Sequence, residues 1–245
     1  MKDKFAGKHI LLTGASGGIG SAIASAFAKA GGIITATDLS TDMIDADHKI
    51  AGDLTDPLFA NELVKQAHSL MGGIDILVNN AGIIRRGKVT ESSDDDLRLS
   101  LAVNVEAPFR LCRQAIPIMA AQGGGNIVNI ASCWGVHPGP NHALYCMTKG
   151  AVASLTQAMG LDHGQDNIRI NAVCPNEVNT AMLRTGFAMR GFDPDKAVDD
   201  LNKTVPLGRI AEPDDIADVV TFLASDASRY ICGSLIEVNG GKRVS

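Results

Sequence analysis

Tyr145 and Lys149 stand four residues apart in Tyr145-Cys146-Met147-Thr148-Lys149. On a helix that spacing places both on one face, one turn apart. A neighbouring ammonium favours the phenolate over the phenol and can draw a tyrosine pKa down from about 10. A tyrosine tuned in this way is a usable general acid or base. Ser132, upstream in Ser132-Cys133-Trp134-Gly135, could hold a substrate oxygen beside that phenol. Chance also puts Tyr-x-x-x-Lys on helices, so the pair takes its meaning from the elements that position it.

Residues 8–13 are an apolar run of strand length, and Gly14-Ala15-Ser16-Gly17-Gly18-Ile19-Gly20 follows at once. An Ala- and Ile-rich stretch at helical spacing, residues 21–30, comes next. Strand, glycine turn and helix in that order let a backbone approach a pyrophosphate, with free N–H donors at the helix start. Gly14, Ser16, Gly17 and Ile19 are the candidate contacts. The spacing is G-x-x-x-G-x-G, not the commoner dinucleotide pattern G-x-G-x-x-G. The second apolar run ends in Asp38, whose carboxylate can accept both hydroxyls of an adenosine ribose. The same carboxylate would face a 2′-phosphate, at a cost of roughly 1–4 kcal/mol in a wet or partly wet site. Position 17 is Gly and position 39 is Leu, so no neighbouring cation offsets that cost. NAD is therefore expected rather than NADP. Asp53 and Leu54, after a brief third strand, are placed to meet an adenine.

Asp56-Pro57 opens a helix running to about Met71. Residues 39–47 leave room for an abbreviated crossover helix only. Residues 74–78 form a buried strand that ends in Asn79-Asn80-Ala81-Gly82. Residues 94–121 read as one long helix with Asn104 in its interior, where asparagine is unfavourable and suggests a special task. Residues 126–131 form the strand that delivers Ser132, and a helix from about Ala143 to His163 carries Tyr145 and Lys149. Residues 168–174 and 235–238 are further strands, with a polar lid at 181–205 and a helix after Glu212 between them. The alternation implies an α/β fold: a Rossmann-type, doubly wound parallel sheet of about seven strands with helices on both faces, as one dinucleotide-binding domain over 1–245. Gly14, Asp38, Asn80 and Ser132 all fall at the carboxyl ends of strands, where such sheets bind ligands.

The chain has 245 residues, 45% hydrophobic and 20% charged, with a net charge of -5. That supports a sizeable core and gives no sign of disorder. Without a Lys/Arg block or an 18-residue apolar run, nucleic acid and membrane are poor partners. Five cysteines, an odd number without metal-ligand spacing, read as reduced thiols in a cytoplasmic protein, with no metal site. Cys133 and Cys146, close to the candidate site, read as core or pocket-lining residues rather than catalytic ones.

Taken together, the chain resembles the short-chain dehydrogenase/reductase family over essentially its full length. The resemblance rests on Thr13-Gly14-x-x-x-Gly18-Ile19-Gly20, Asp53, Asn79-Asn80-Ala81-Gly82, Asn104, Ser132, Tyr145-x-x-x-Lys149, Pro175-x-x-Val178-x-Thr180, and the run from Pro206-Leu207-Gly208-Arg209 to Gly240-Gly241. It implies that Tyr145 exchanges the alcohol proton, that Lys149 lowers the Tyr145 pKa and binds the nicotinamide ribose, and that Ser132 bonds the reacting oxygen. It implies that Asn104 holds a water linking Lys149 to solvent. Val178 and Thr180 would meet the nicotinamide end, and Asn80, Ala81 and Gly82 the adenosine side. Relatives are often tetramers, so a homotetramer packing helices 94–121 and 143–163 is implied.

Two positions depart from the family. Asn176 replaces a glycine, and Glu177 follows where many relatives carry an apolar residue. A carboxylate there suggests a polar substrate. Arg85 and Arg86 resemble those of members acting on sugars and sugar acids, and an arginine can clamp a carboxylate with two hydrogen bonds. His137, Asn141 and His142 lie in the loop that lines the substrate pocket of relatives, with Trp134 as an apolar wall. Arg85, Trp134, His137, Asn141 and Glu177 are thus the candidate substrate residues. The expected partner is a small polar alcohol or ketone, a sugar or sugar acid. Two rivals are a 3-oxoacyl-type reductase, which would favour NADP, and a non-catalytic NAD-sensing regulator, which would be expected to lack one of Asn104, Ser132, Tyr145 and Lys149.

Overall fold

The structure, a computed structural model, describes residues 3–243. Strands β1 (His9–Thr13), β2 (Ile33–Asp38), β3 (His48–Ala51), β4 (Ile76–Asn79), β5 (Gly125–Ile130), β6 (Ile168–Pro175) and β7 (Leu235–Val238) form one sheet. Its order is β3-β2-β1-β4-β5-β6-β7 and every neighbouring pair is parallel. The helices are α1 (Gly18–Lys29), α2 (Pro57–Met71), α3 (Asp94–Leu101), α4 (Ala107–Ala121), α5 (Cys133–Val136), α6 (Ala143–His163), α7 (Ala181–Ala188), α8 (Pro194–Asn202) and α9 (Pro213–Leu223).

Strand side chains alternate between two cores, as a two-residue period requires. Ile10, Leu12, Ile34, Ala36, Ile76 and Val78 pack on one face with Ile23 and Phe27 of α1 and Ile216 and Val220 of α9. Leu11, Leu77, Ile127 and Ile170 pack on the other with Leu63 of α2, Leu111 of α4 and Met159 of α6. Both faces are therefore buried, which is why the strands read as continuous apolar runs. A polar chain ties the second face: Asn79 Nδ2 donates to Asn129 Oδ1 (2.8 Å), and Asn129 Nδ2 donates to Thr156 Oγ1 (2.8 Å).

The chain winds outward from β1 to β3, then crosses back to lay β4 on the other side of β1. That reversal opens a crevice above the carboxyl ends of β1 and β4.

Three segments differ from the sequence reading. No helix forms over 39–47, because the stretch between β2 and β3 is too short and polar to bury a helical face. Residues 94–121 follow one helical path, but Ala102–Glu106 widens into a π turn between α3 and α4. Residues 181–205 are more than a polar lid: α7 and α8 build a small core of their own from Leu183, Phe187, Val198, Leu201, Val205 and Ile210.

Candidate active site

A cavity of about 700 Å³ opens at the β1/β4 crevice. Its lining contains Gly14, Ser16, Gly17 and Ile19 of the glycine turn, Asp38, Asp53, Leu54, Asn80, Ala81 and Gly82. Ser132, Tyr145, Lys149, Val178 and Thr180 border the same space. The carboxyl ends of β1, β2, β4 and β5 thus feed one site.

The turn is shaped by backbone contact. Gly14 has φ +65, and a Cβ there would lie 2.7 Å from Ala81 Cα. A Cβ on Gly20 would lie 2.1 Å from the Gly14 carbonyl oxygen. Only glycine lets the turn fold onto α1 and onto the end of β4. Asn80 locks the arrangement, donating from Nδ2 to the carbonyls of Thr13 (3.1 Å) and Gly14 (2.9 Å). The Thr13 hydroxyl accepts from the amides of Asn80 and Ala81 (both 3.1 Å). Gly17 caps α1 without a side-chain bond, so the first helical amides are left for a ligand. The cradle fits a dinucleotide pyrophosphate.

Asp38 closes the adenosine end. Its Oδ2 accepts from the Ser16 amide (2.9 Å) and the Ser16 hydroxyl, and its Oδ1 accepts from the Leu39 amide (2.8 Å). Asp53 Oδ1 accepts from the Thr55 amide (2.8 Å). Among the described residues no cation lines this end; Lys149, Arg86 and Arg190 border the far part of the cavity.

The far end is set by α5 and α6. Ser132 caps α5, its Oγ accepting from the Trp134 amide (3.1 Å). Tyr145 and Lys149 project from the first turns of α6, with Nζ 6.0 Å from the Tyr145 ring centroid. Lys149 is buried and donates to the Ile130 carbonyl (2.7 Å). Burial pulls its pKa down from 10.5 to about 8. The Tyr145 phenol moves the other way: burial raises it, while a hydrogen bond from Ser132 and the nearby Arg86 charge oppose the rise. This corrects the expectation that Lys149 lowers the Tyr145 pKa. In the protein alone desolvation outweighs every neighbouring charge, and the cation that favours the phenolate is Arg86.

Asn104 sits in the π turn, fully buried. Its Oδ1 accepts from the Ile83 amide (2.8 Å), and its Nδ2 donates to the Ile83 carbonyl (2.9 Å) and to Thr148 Oγ1 (3.0 Å). Both amide protons are committed to the protein, leaving one lone pair on Oδ1 to meet a water. Asn104 therefore fastens the loop after β4 to α6, next to Tyr145 and Lys149. π turns concentrate at such sites.

The candidate substrate residues divide. Trp134 and Glu177 line the cavity. Glu177 is paired with Lys242 (2.6 Å), both mostly buried. Arg85 does not line it, since its Nε is bound to Asp96 Oδ1 (2.8 Å); Arg86 does instead. His137 also turns away, its Nε2 held by Glu237 (3.0 Å). Asn141 takes the left-handed conformation (φ 60), and its carbonyl accepts from the Gly87 amide (2.8 Å), so it joins two loops from outside the cavity. His142 lines the cavity and packs at a tilt against Trp134, centroids 4.3 Å apart and ring planes 53° to one another. Asn176 has no positive φ, so its backbone makes no demand for glycine. Its amide borders the cavity with both polar atoms buried and unpartnered among the described residues, as a ligand-binding group would be. Cys133 and Cys146 lie in the core, outside the lining; burial pushes the Cys133 thiol up to about 12.

Sequence reasoning did not pick out Asn176, Phe187 or Arg190 as lining residues. Asn176 carried a signal, the departure from glycine. The other two lie in a stretch whose polar composition hid its packing.

A family model described as "Enoyl-(Acyl carrier protein) reductase" matches residues 14–243. The chain is 36% identical over 254 residues to the meso-2,3-butanediol dehydrogenase of Serratia marcescens, covering 99% of this chain and 97% of that one. It superposes on the aldohexose dehydrogenase of Thermoplasma acidophilum with a TM-score of 0.93 and 31% identity, over 98% of this chain and 96% of that one. L-sorbose reductase of Gluconobacter frateurii, solved with NADPH and L-sorbose, gives a TM-score of 0.90 and 30% identity over 98% of each chain. The chain belongs to the short-chain dehydrogenase/reductase family, oxidoreductases that use a nicotinamide cofactor. Among the described residues, no helix is long and apolar enough to cross a membrane.

Proposed function

We propose that this protein is an NAD-dependent dehydrogenase that oxidises a secondary alcohol of a small polyhydroxylated substrate, a sugar or sugar acid, or reduces the matching ketone. One observation carries the reading: Ser132, Tyr145 and Lys149 border the same cavity as the glycine turn and Asp38. The diol, aldose and ketose named for its relatives support a polar substrate. That no cation among the described residues stands beside Asp38 supports NAD over NADP.

When bound, the nicotinamide supplies or takes up the hydride, and that chemistry is the cofactor's own. Ser132 donates a hydrogen bond to the substrate oxygen and fixes it beside the phenol. Tyr145 takes the hydroxyl proton in oxidation and returns it in reduction. Lys149, held by the Ile130 carbonyl, keeps a cation 6.0 Å from the phenol ring centroid and would donate to a hydroxyl of the nicotinamide ribose. Asn104 is a positioning residue that anchors α6 to the loop after β4. Gly14, Gly17 and the first amides of α1 would cradle the pyrophosphate, and Asp38 would accept from the adenosine ribose. Val178 and Thr180 would flank the nicotinamide, and α7 and α8 would roof the substrate. We assign the protein to the cytoplasm, as one domain, and to a homotetramer.

The test is NADH formation with a panel of vicinal diols, aldoses and sugar acids. Tyr145→Phe should lower turnover by about 10²–10⁴-fold, the range of a lost general acid or base, and leave NAD binding unchanged. No response to any polar alcohol or ketone, or an unaffected variant, defeats the reading.

A further inference from the structure

Two arginines meet at one residue of the roof. A Cβ on buried Gly186 of α7 would lie 2.8 Å from an Arg86 guanidinium nitrogen, so that guanidinium lies directly over the glycine. Arg190, in the turn just after the same helix, donates from Nε to the Gly186 carbonyl (2.8 Å). Both side chains line the cavity that holds Tyr145, and His142 borders the same space. Arg86 comes from the loop after β4 and Arg190 from the roof, so the fold brings together two cations that are remote in sequence.

Among the described residues neither guanidinium joins an ion pair. The cavity has three carboxylates, and all are engaged elsewhere. Asp38 and Asp53 lie at the adenosine end, holding backbone amides. Glu177 is neutralised by Lys242. The charges act on their surroundings: after burial, which is the larger cause, Arg86 and Arg190 lower the His142 pKa, and Arg190 adds to burial in lowering that of Arg86. Like charges held together without a counter-ion cost free energy, and an anion between them recovers it. Two guanidinium forks also match the geometry of an oxyanion better than that of a hydroxyl.

We infer that Arg86 and Arg190 form an anion clamp, and that the substrate carries an oxyanionic group, a carboxylate or a phosphate ester, in addition to the reacting alcohol. This rests on the dehydrogenase reading only for which group of the substrate reacts. The anion bridges the loop after β4 and α7, so its binding also fastens the roof. Gly186 is part of the clamp, because any side chain there would displace Arg86.

Titration calorimetry of the NAD-loaded protein with gluconate, glucose 6-phosphate and sorbitol tests the clamp. At least one anion should bind about tenfold or more tightly than the neutral polyol, the scale of a charge-assisted hydrogen bond. Arg86→Gln and Arg190→Gln should each remove that margin by weakening the anion far more than sorbitol, with NAD binding unchanged, and Arg190→Lys should recover part of it. Which anion binds separates the carboxylate from the phosphate ester. Equal binding of sorbitol, undiminished anion binding in both variants, or no anion binding to protein that holds NAD overturns the inference. Failure to bind NAD strikes the dehydrogenase reading instead, and the same titrations on cofactor-free protein still decide the clamp.

Discussion

Gly135 of α5 rests on the backbone of Lys149 in α6: a Cβ added to Gly135 would lie 2.5 Å from the Lys149 carbonyl carbon and 2.7 Å from the Gly150 nitrogen. The contact fixes how far Ser132, the cap of α5, stands from Tyr145. Gly135→Ala must push the two helices apart. Overpacking against backbone costs about 1–3 kcal/mol, and a displacement of about 1 Å at a reacting geometry costs about 10²-fold in rate. Both losses should appear together, as a lowered unfolding midpoint and a lowered kcat, with KM for NAD little changed. Gly164→Ala, where a Cβ meets open space, is the control and should change neither. Full activity in Gly135→Ala would show that the α5–α6 contact does not set the site.

Lys149 destabilises the fold in order to serve the site. Its pKa in the protein is about 8, below the ordinary 10.5, because burial disfavours the charge. Between those values the unfolded chain binds more protons than the folded one, so stability rises as pH increases from about 8 to about 10.5. Below pH 8 the full penalty is present, on the order of 3 kcal/mol at 1.36 kcal/mol per unit. Lys149→Met should therefore raise the melting temperature at pH 7, raise it much less at pH 10.5, and abolish turnover at both. Thermal melts across that pH range read the effect. A variant that melts lower than the parent at pH 7 would mean that the Ile130 hydrogen bond outweighs the desolvation.

The strands, the glycine turn and the cluster at their carboxyl ends were legible in the sequence because each rests on local chemistry. A glycine turn between an apolar strand and an Ala-rich helix has few alternative structures. The π turn at Ala102–Glu106 was not legible, since one widened turn leaves helical periodicity almost intact. Arg85 and Arg86 were indistinguishable in sequence. Adjacent residues in an irregular loop face different ways, and only the fold brings Asp96 to the first and Gly186 to the second. The direction of the Tyr145 shift was misread because spacing reports the nearby cation and not the burial. His137 was misassigned for a similar reason: its partner, Glu237, lies 100 residues away at the start of a contact no local pattern encodes.

Asp38 should decide between cofactors. It already accepts from Ser16 and Leu39, so its charge is fixed at the place where an adenosine 2′ substituent would sit. Removing the charge by Asp38→Ser removes a repulsion of about 1–4 kcal/mol against a 2′-phosphate. The ratio of kcat/KM for NAD to that for NADP should fall by about 10-fold to 10³-fold, with part of the change coming from weaker NAD binding. An unchanged ratio, or a parent protein that prefers NADPH, removes the argument for NAD.

Glu177 and Lys242 form the least exposed of the carboxylate–lysine pairs, at 17% and 19% side-chain exposure, with Nζ and Oε1 2.6 Å apart. The pair pins the segment after β7 to the floor of the cavity beside the unpartnered Asn176 amide. Breaking such a pair leaves one charge half-buried, whereas removing both charges leaves none. Glu177→Gln and Lys242→Met should each destabilise the protein by about 1–3 kcal/mol, the cost of an orphaned group in a partly wet site. The double variant should lie closer to the parent than the sum of the two, with a coupling of at least about 1 kcal/mol. Urea unfolding of the four proteins closes the cycle. Strict additivity would mean that water reaches both groups and that the pair has no part in shaping the substrate end. A clear coupling, by contrast, makes Glu177 a neutralised wall, which is what leaves Arg86 and Arg190 as the uncompensated charge facing the substrate.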